Sequence, residues 1–167
     1  GRVVSSYRTS RRSAEKRPKR MLVIDVVSEA LEYVMADMEC NAIEVDKSIN
    51  SPATIFGERR MVVQAMINVL SASTDAMVDA GKPSAIVLRG SVKNGYYEFK
   101  VSNNQQVVGQ EARDAFFDPI YSLKAGNCGI KLAVARNIAL LEGGSLEIAG
   151  SSDKGTTLVL KLPVQEY

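Results

Sequence analysis

Between Asp25 and Met38 the apolar residues Val26, Val27, Ala30, Leu31, Val34, Met35 and Met38 return every three or four positions, with Glu29, Glu32 and Asp37 between them. That is the period of a helix burying one face. From Ala42 to Ile49 the pattern alternates as in a strand, and Asn50-Ser-Pro52 turns the chain into a second short strand at Thr54 to Phe56. Gly57-Glu58 opens a long helix running to about Ala80, stopped by Gly81-Lys-Pro83. Ser84 to Lys93 and Tyr96 to Ser102 flank Asn94-Gly95, a dipeptide that tolerates the positive φ of a two-residue hairpin turn, so they predict two antiparallel strands. Residues 103–128 are irregular and polar apart from an amphipathic piece at Ala112 to Phe117, and so long a stretch within a domain usually carries function. Gly129 to Glu142 is nearly all apolar, which predicts a buried helix ended by Gly143-Gly144. Ser145 to Gly150 and Thr156 to Leu162 then pair as a terminal hairpin. Helices on one face of a mixed, mostly antiparallel sheet make an α+β two-layer sandwich with about three helices.

A length of 167 residues suits one domain, and 46% hydrophobic with 24% charged residues is the composition of a folded, water-facing protein. No run reaches the roughly 18 to 20 apolar residues of a membrane span, so direct membrane insertion is not expected. Cys40 and Cys128 are distant in sequence and form no CxxC, which fits a reducing, cytoplasmic compartment. There is no histidine, which excludes a His-based triad, a His-ligated metal and a phosphohistidine within this chain. The net charge of +2 hides a split: residues 1–20 hold eight Lys or Arg and only Glu15 as an acid, leaving −5 for residues 21–167. Such a basic segment can bind nucleic acid or anionic lipid. With Tyr7 as its sole aromatic and an acidic remainder, it reads instead as a solvated linker or helix end, and nucleic acid is not an expected partner. Residues 1–20 are therefore read as a connector from a longer protein and 21–167 as the domain.

Several segments resemble the catalytic, ATP-binding domain of bacterial sensor histidine kinases, of the GHKL or Bergerat-type superfamily that includes Hsp90, type II topoisomerases and MutL. Phe117-Asp-Pro-Ile-Tyr-Ser-Leu-Lys124 is similar to the family's F-box FEPFFTTK, and Ala125 to Ile138 to its PGGTGLGLAIVRRI. Leu141 to Ile148 follows, and Gly155-Thr-Thr-Leu-Val-Leu-Lys-Leu-Pro163 is like the ending GTTFTFRLP. Gln64-Ala-Met-Ile-Asn-Val-Leu-Ser-Ala-Ser-Thr-Asp-Ala76 resembles the N-box QVLLNLLxNAxDA. The resemblance implies the family's α/β sandwich, with ATP and Mg²⁺ as cofactors held between the helix layer and a lid.

The nucleotide-pocket positions so implied are Asn68, Ala72, Asp75, Asn103, Gln105, Lys124, Gly126, Gly129, Lys131 and Thr156. Where the family places the N-box Asn that ligates Mg²⁺, this chain has Ala72, and a methyl group ligates nothing. Asn68 and Asp75 each lie about one turn away, roughly 5 Å along the axis. Gln64, Asn68, Ala72, Asp75 and Asp79 share one helix face, whose plainest reading is a solvated polar stripe. In place of the adenine-reading DxGxG stands Asn103-Asn-Gln105, which keeps a carbonyl acceptor but loses a charge and a glycine. In place of GxGLGL stands Asn127-Cys-Gly129-Ile-Lys131-Leu. Lys131 either substitutes for the metal as a point charge on phosphate, or it occupies the empty phosphate site or pairs with an acid such as Glu111 or Asp75. Lys124 matches the F-box lysine and Thr156 a threonine near the adenine; solvation and plain strand propensity are their other readings.

Four substitutions across the boxes for metal, base and phosphate imply weak or absent ATP and Mg²⁺ binding, no metal site and no certain catalytic residue. The expectation is a pseudokinase-like signalling module that docks a response regulator or a partner kinase domain, homodimerising through helices upstream of residue 21. It is cytoplasmic, either by itself or as part of a membrane-anchored kinase. Two other readings stay open. One is an active ATP-dependent kinase that phosphorylates a His outside these residues; the other is a serine kinase like the superfamily's anti-sigma factors, which needs Mg-ATP equally.

Overall fold

A computed structural model describes residues 18–49, 52–80, 84–104, 126–152 and 155–165. The elements run β1 (Lys19–Leu22), α1 (Val23–Cys40), β2 (Ile43–Ser48), β3 (Thr54–Gly57), α2 (Arg59–Ala80), β4 (Ser84–Lys93), β5 (Tyr96–Asn103), α3 (Gly126–Leu141), β6 (Ser145–Ser152) and β7 (Gly155–Pro163). Five strands form one mixed sheet in the order β2-β4-β5-β7-β6, and β1 with β3 forms a separate antiparallel pair. Only β2 and β4 run parallel, since β3 and α2 intervene as a crossover; the other pairs are antiparallel. This is the two-layer α/β sandwich expected from the periodicity.

The alternation along the central strands sets the core. On β5, Tyr97, Phe99 and Val101 point inward, and on β7 so do Leu158, Leu160 and Leu162. Val26, Val27, Ala30 and Val34 of α1, Val62, Met66, Val69 and Leu70 of α2, and Leu132, Ala135 and Ile138 of α3 close over them. The inward rows end in polar residues: Asn103 closes that of β5 and Thr156 opens that of β7, and the two are cross-strand partners. Both are buried, at 7% and 1% exposure.

Turn chemistry follows the sequence closely. Asn94 and Gly95 take φ of 53° and 81°, the two positive values of a type I′ hairpin. At the end of α3 the Gly143 N–H bonds the Leu140 carbonyl and the Gly144 N–H the Ala139 carbonyl, with Gly143 at φ 83°, which is a Schellman closure. A Cβ on Gly144 would lie 1.8 Å from the Lys161 carbonyl oxygen, so β6 starts against β7 only with glycine there.

Two readings of the pattern need correction. The pattern places Lys19 and Arg20 in the connector and gives Met21 and Leu22 no element; the four form strand β1, which pairs with β3 and is too short a run to show alternation. Helix α3 is not buried all round: Ile130, Val134, Leu140 and Leu141 are exposed at 44%, 42%, 51% and 78%. Its composition is apolar on both faces, so periodicity alone could not separate them. The amphipathic piece at Ala112 to Phe117 lies outside the described residues. Among the described residues no helix is long and apolar enough to cross a membrane.

Candidate nucleotide-binding site

Helix α2 meets α3 along the polar stripe read from the sequence, and the stripe is not simply solvated. Gln64 Nε2 donates to Asn68 Oδ1 at 2.8 Å, one turn on, and Asn68 Nδ2 donates to the Lys131 carbonyl at 3.3 Å. Lys131 then sends its ammonium back to α2, donating to Ser71 Oγ at 2.7 Å and to Asp75 Oδ2 at 2.5 Å. The 3.6-residue period puts positions 64, 68, 71 and 75 on adjacent turns of one face, so a single lysine from the facing helix reaches two of them. The Lys131 and Asp75 side chains are 33% and 35% exposed, so the pair is partly shielded but still reached by solvent. Of the two acids weighed for Lys131, the structure selects Asp75; Glu111 lies outside the described residues.

Ala72 sits within this ladder and is fully buried, part of the hydrophobic core. The position from which the family's metal ligand would project is thus a packed methyl group. Asp75, the carboxylate closest to it in sequence, already accepts from an ammonium. Among the described residues no three His, Cys, Asp or Glu side chains cluster as a metal site. The side chains described here do not fit Mg²⁺, which needs several oxygen ligands in near-octahedral array and would meet a fixed positive charge instead.

The ends of β5 and β7 carry a second polar pair. Asn103 and Thr156 face each other across β5 and β7, with Ile86 of β4 opposite Asn103 on its other side. Ser102 Oγ and Thr157 Oγ1, the neighbouring pair on the other face, share a hydrogen bond of 2.9 Å. Gly155 has φ 148° and leaves room for the strand end: a Cβ there would stand 2.1 Å from the Asn103 carbonyl oxygen. The glycine that opens the Gly-Thr-Thr segment is therefore required by the backbone approach of Asn103. Gly126 and Gly129 lie in the first turns of α3, and Gly129 is buried. Gln105 and Lys124 lie outside the described residues.

Two residues that sequence reasoning passed over join these elements. Ser71 gives the ammonium its second acceptor beside Asp75, and only its i−4 spacing from Asp75 signalled it. Glu142, the residue at the C-cap of α3, accepts the Glu58 N–H at 2.9 Å and so closes the N-terminus of α2. Burial raises the Glu142 carboxyl above its usual range; the Glu58 N–H works against that and the Glu58 charge adds to it. Gly57 leaves space for this carboxylate, since a Cβ there would lie 2.7 Å from Glu142 Oε2.

The sequence profile described as "Histidine kinase-, DNA gyrase B-, and HSP90-like ATPase" matches residues 57–166. The chain is 25% identical over 140 residues to the sensor histidine kinase ZraS of Escherichia coli (strain K12), covering 83% of this chain and 30% of that protein. It thus spans about a third of the length of that relative. The nucleotide-free catalytic domain of the histidine kinase ThkA superposes with a TM-score of 0.77 at 16% identity, covering 90% of this chain and 99% of that one. ThkA in complex with the response regulator TrrA superposes with a TM-score of 0.72 at 15% identity, covering 89% of this chain and 42% of that one. At these identities the structural likeness concerns the fold.

Proposed function

Because this chain belongs to the histidine kinase-, DNA gyrase B- and HSP90-like ATPase family, we propose that it is a histidine-kinase-type catalytic domain of two-component signalling whose ATP and Mg²⁺ site is eroded, acting as a pseudokinase-like interaction module. The carrying observation is Ala72, a fully buried methyl where the family's metal ligand stands, within a helix pair that is otherwise intact. Phosphoryl transfer depends on metal neutralisation of the triphosphate, so losing the ligand removes far more catalysis than it removes fold. The partner is a response regulator or another kinase domain in the cytoplasm, reached as a homodimer through helices preceding the domain. ThkA, of the same fold, is known in complex with its regulator TrrA. Since the 167 residues contain no His, any phosphoacceptor His belongs to another segment or another chain.

The test is calorimetric titration of ATP and ADP with and without Mg²⁺. The proposal expects affinities no tighter than millimolar with Mg²⁺, because losses of about 1 to 3 kcal/mol at several boxes shift a micromolar site by several orders. Micromolar binding that requires Mg²⁺ would establish the other reading, an active sensor kinase domain. The cross-strand pairing of Asn103, which keeps a carbonyl acceptor, with Thr156 is the observation favouring that second reading.

A further inference from the structure

We infer that the Lys131 ammonium is a resident cation that takes over the metal's place between α2 and α3, so that the site excludes the magnesium complex and takes nucleotide only in its metal-free form. The inference rests on the eroded-site reading above and names the ligand form left to it.

The geometry supplies three steps. First, an ammonium has three N–H donors, and two are committed, to Ser71 Oγ at 2.7 Å and Asp75 Oδ2 at 2.5 Å. Among the described residues the third has no partner, and the side chain keeps 33% exposure through which a phosphate oxygen can reach it. Second, the lysine is held from both ends: its ammonium by α2, and its carbonyl by Asn68 Nδ2 at 3.3 Å, itself oriented by Gln64. A cation anchored in this way is a feature of the helix pair rather than a passing surface contact. Third, a divalent ion brought in on a nucleotide would meet a fixed positive charge, a buried methyl at Ala72, and an Asp75 oxygen already engaged. Like charges a few ångströms apart in a partly shielded site repel strongly. A metal-free polyphosphate arrives with uncompensated oxygens instead, and an ammonium binds these as a point charge. Asp75 then competes with phosphate for the same ammonium, which keeps the affinity modest.

Calorimetry on the 167-residue chain decides it, using ADP and ATP in EDTA and again in excess MgCl₂, with wild type, Lys131→Met and Asp75→Asn. The expected pattern is metal-free binding at least about tenfold tighter than binding of the magnesium complex, and a loss of about tenfold or more in Lys131→Met, the size of one charge-assisted contact. Asp75→Asn should bind metal-free nucleotide more tightly than wild type, since the ammonium loses its rival; were Asp75 a metal ligand, the same change would instead weaken binding in MgCl₂. Far-UV circular dichroism and thermal melts of each variant establish that it is folded, and should Lys131→Met unfold, Lys131→Gln serves in its place. Three results overturn the inference separately. No heat with any nucleotide form refutes the resident-cation role while leaving the eroded-site reading standing. Equal metal-free affinity in wild type and Lys131→Met refutes the role of Lys131. Micromolar binding that needs Mg²⁺ refutes both readings together.

Discussion

Replacing Glu142 tests whether the end of α3 and the start of α2 are fastened to each other through one carboxylate. Glu142 occupies the C-cap left by the Schellman closure at Gly143 and Gly144, and from there its Oε2 accepts the Glu58 N–H at 2.9 Å. It thereby does across the tertiary structure what an N-cap side chain does locally. Glu142→Ala removes the acceptor from a partly buried donor, at a cost of about 1 kcal/mol. In a chain of this length that lowers Tm by roughly 2 to 4 °C. Glu142→Gln keeps an acceptor oxygen and discards the charge, and there the pH dependence becomes decisive. Burial raises the carboxyl above its ordinary 4.5 in the folded protein. Below that value the side chain is protonated in both states, and wild type and Glu142→Gln should be alike in this respect. As pH rises, the unfolded chain gives up this proton first, so wild type loses stability relative to Glu142→Gln until the folded carboxyl has also ionised, and the difference is then constant. Urea melts of the three proteins from pH 4 to 8 measure this directly. Wild type gaining on Glu142→Gln as pH rises would refute the burial argument, and Glu142→Ala matching wild type throughout would refute the cap.

Three further substitutions probe the fold and the site. The Tyr97 hydroxyl is buried and has no hydrogen-bond partner among the described residues, so Tyr97→Phe should be neutral or stabilise by up to about 1 kcal/mol in urea melts, against the usual direction for a core change. Gly155→Ala meets both φ 148° and the Asn103 carbonyl, and should cost about 1 to 3 kcal/mol from backbone strain even before the clash; Gly95→Ala, at φ 81° with nothing within 4 Å, should cost only about 1 kcal/mol by the same thermal assay. Ala72→Asn restores the family's ligand type at a fully buried position, so it should destabilise by about 1 to 3 kcal/mol and leave Mg²⁺-dependent nucleotide binding absent in calorimetry while Lys131 remains.

What was legible beforehand follows from the range of the forces involved. The Asn94-Gly95 turn, the two-period of β5 and β7 and the three-to-four period of α1 and α2 are local, and each appears within a residue or two of its expected position. Strand β1 depends on pairing with β3, more than thirty residues away, and four residues carry too little pattern to announce that. In α3 an apolar residue at nearly every position hid which face is covered: Leu132 and Ala135 are buried while Val134 between them stands exposed. At the site, the departures at Ala72, Asn103 and Lys131 could be read one residue at a time, because each is a comparison of side-chain chemistry at a matched position. Their joint arrangement could not, because an ammonium paired with Asp75 and one held out for phosphate have the same sequence. The choice is made by Ser71, whose hydroxyl gives the ammonium a second acceptor on α2, and by Asn68, which fixes the lysine's own carbonyl. Both lie on the helix opposite Lys131 and are ordinary polar positions in isolation. A side chain matched to a metal ligand can be lost through one substitution, but holding an ammonium beside it takes Lys131 together with Asp75, Ser71 and Asn68 across a helix interface, and that cooperation is visible only once the two helices are packed.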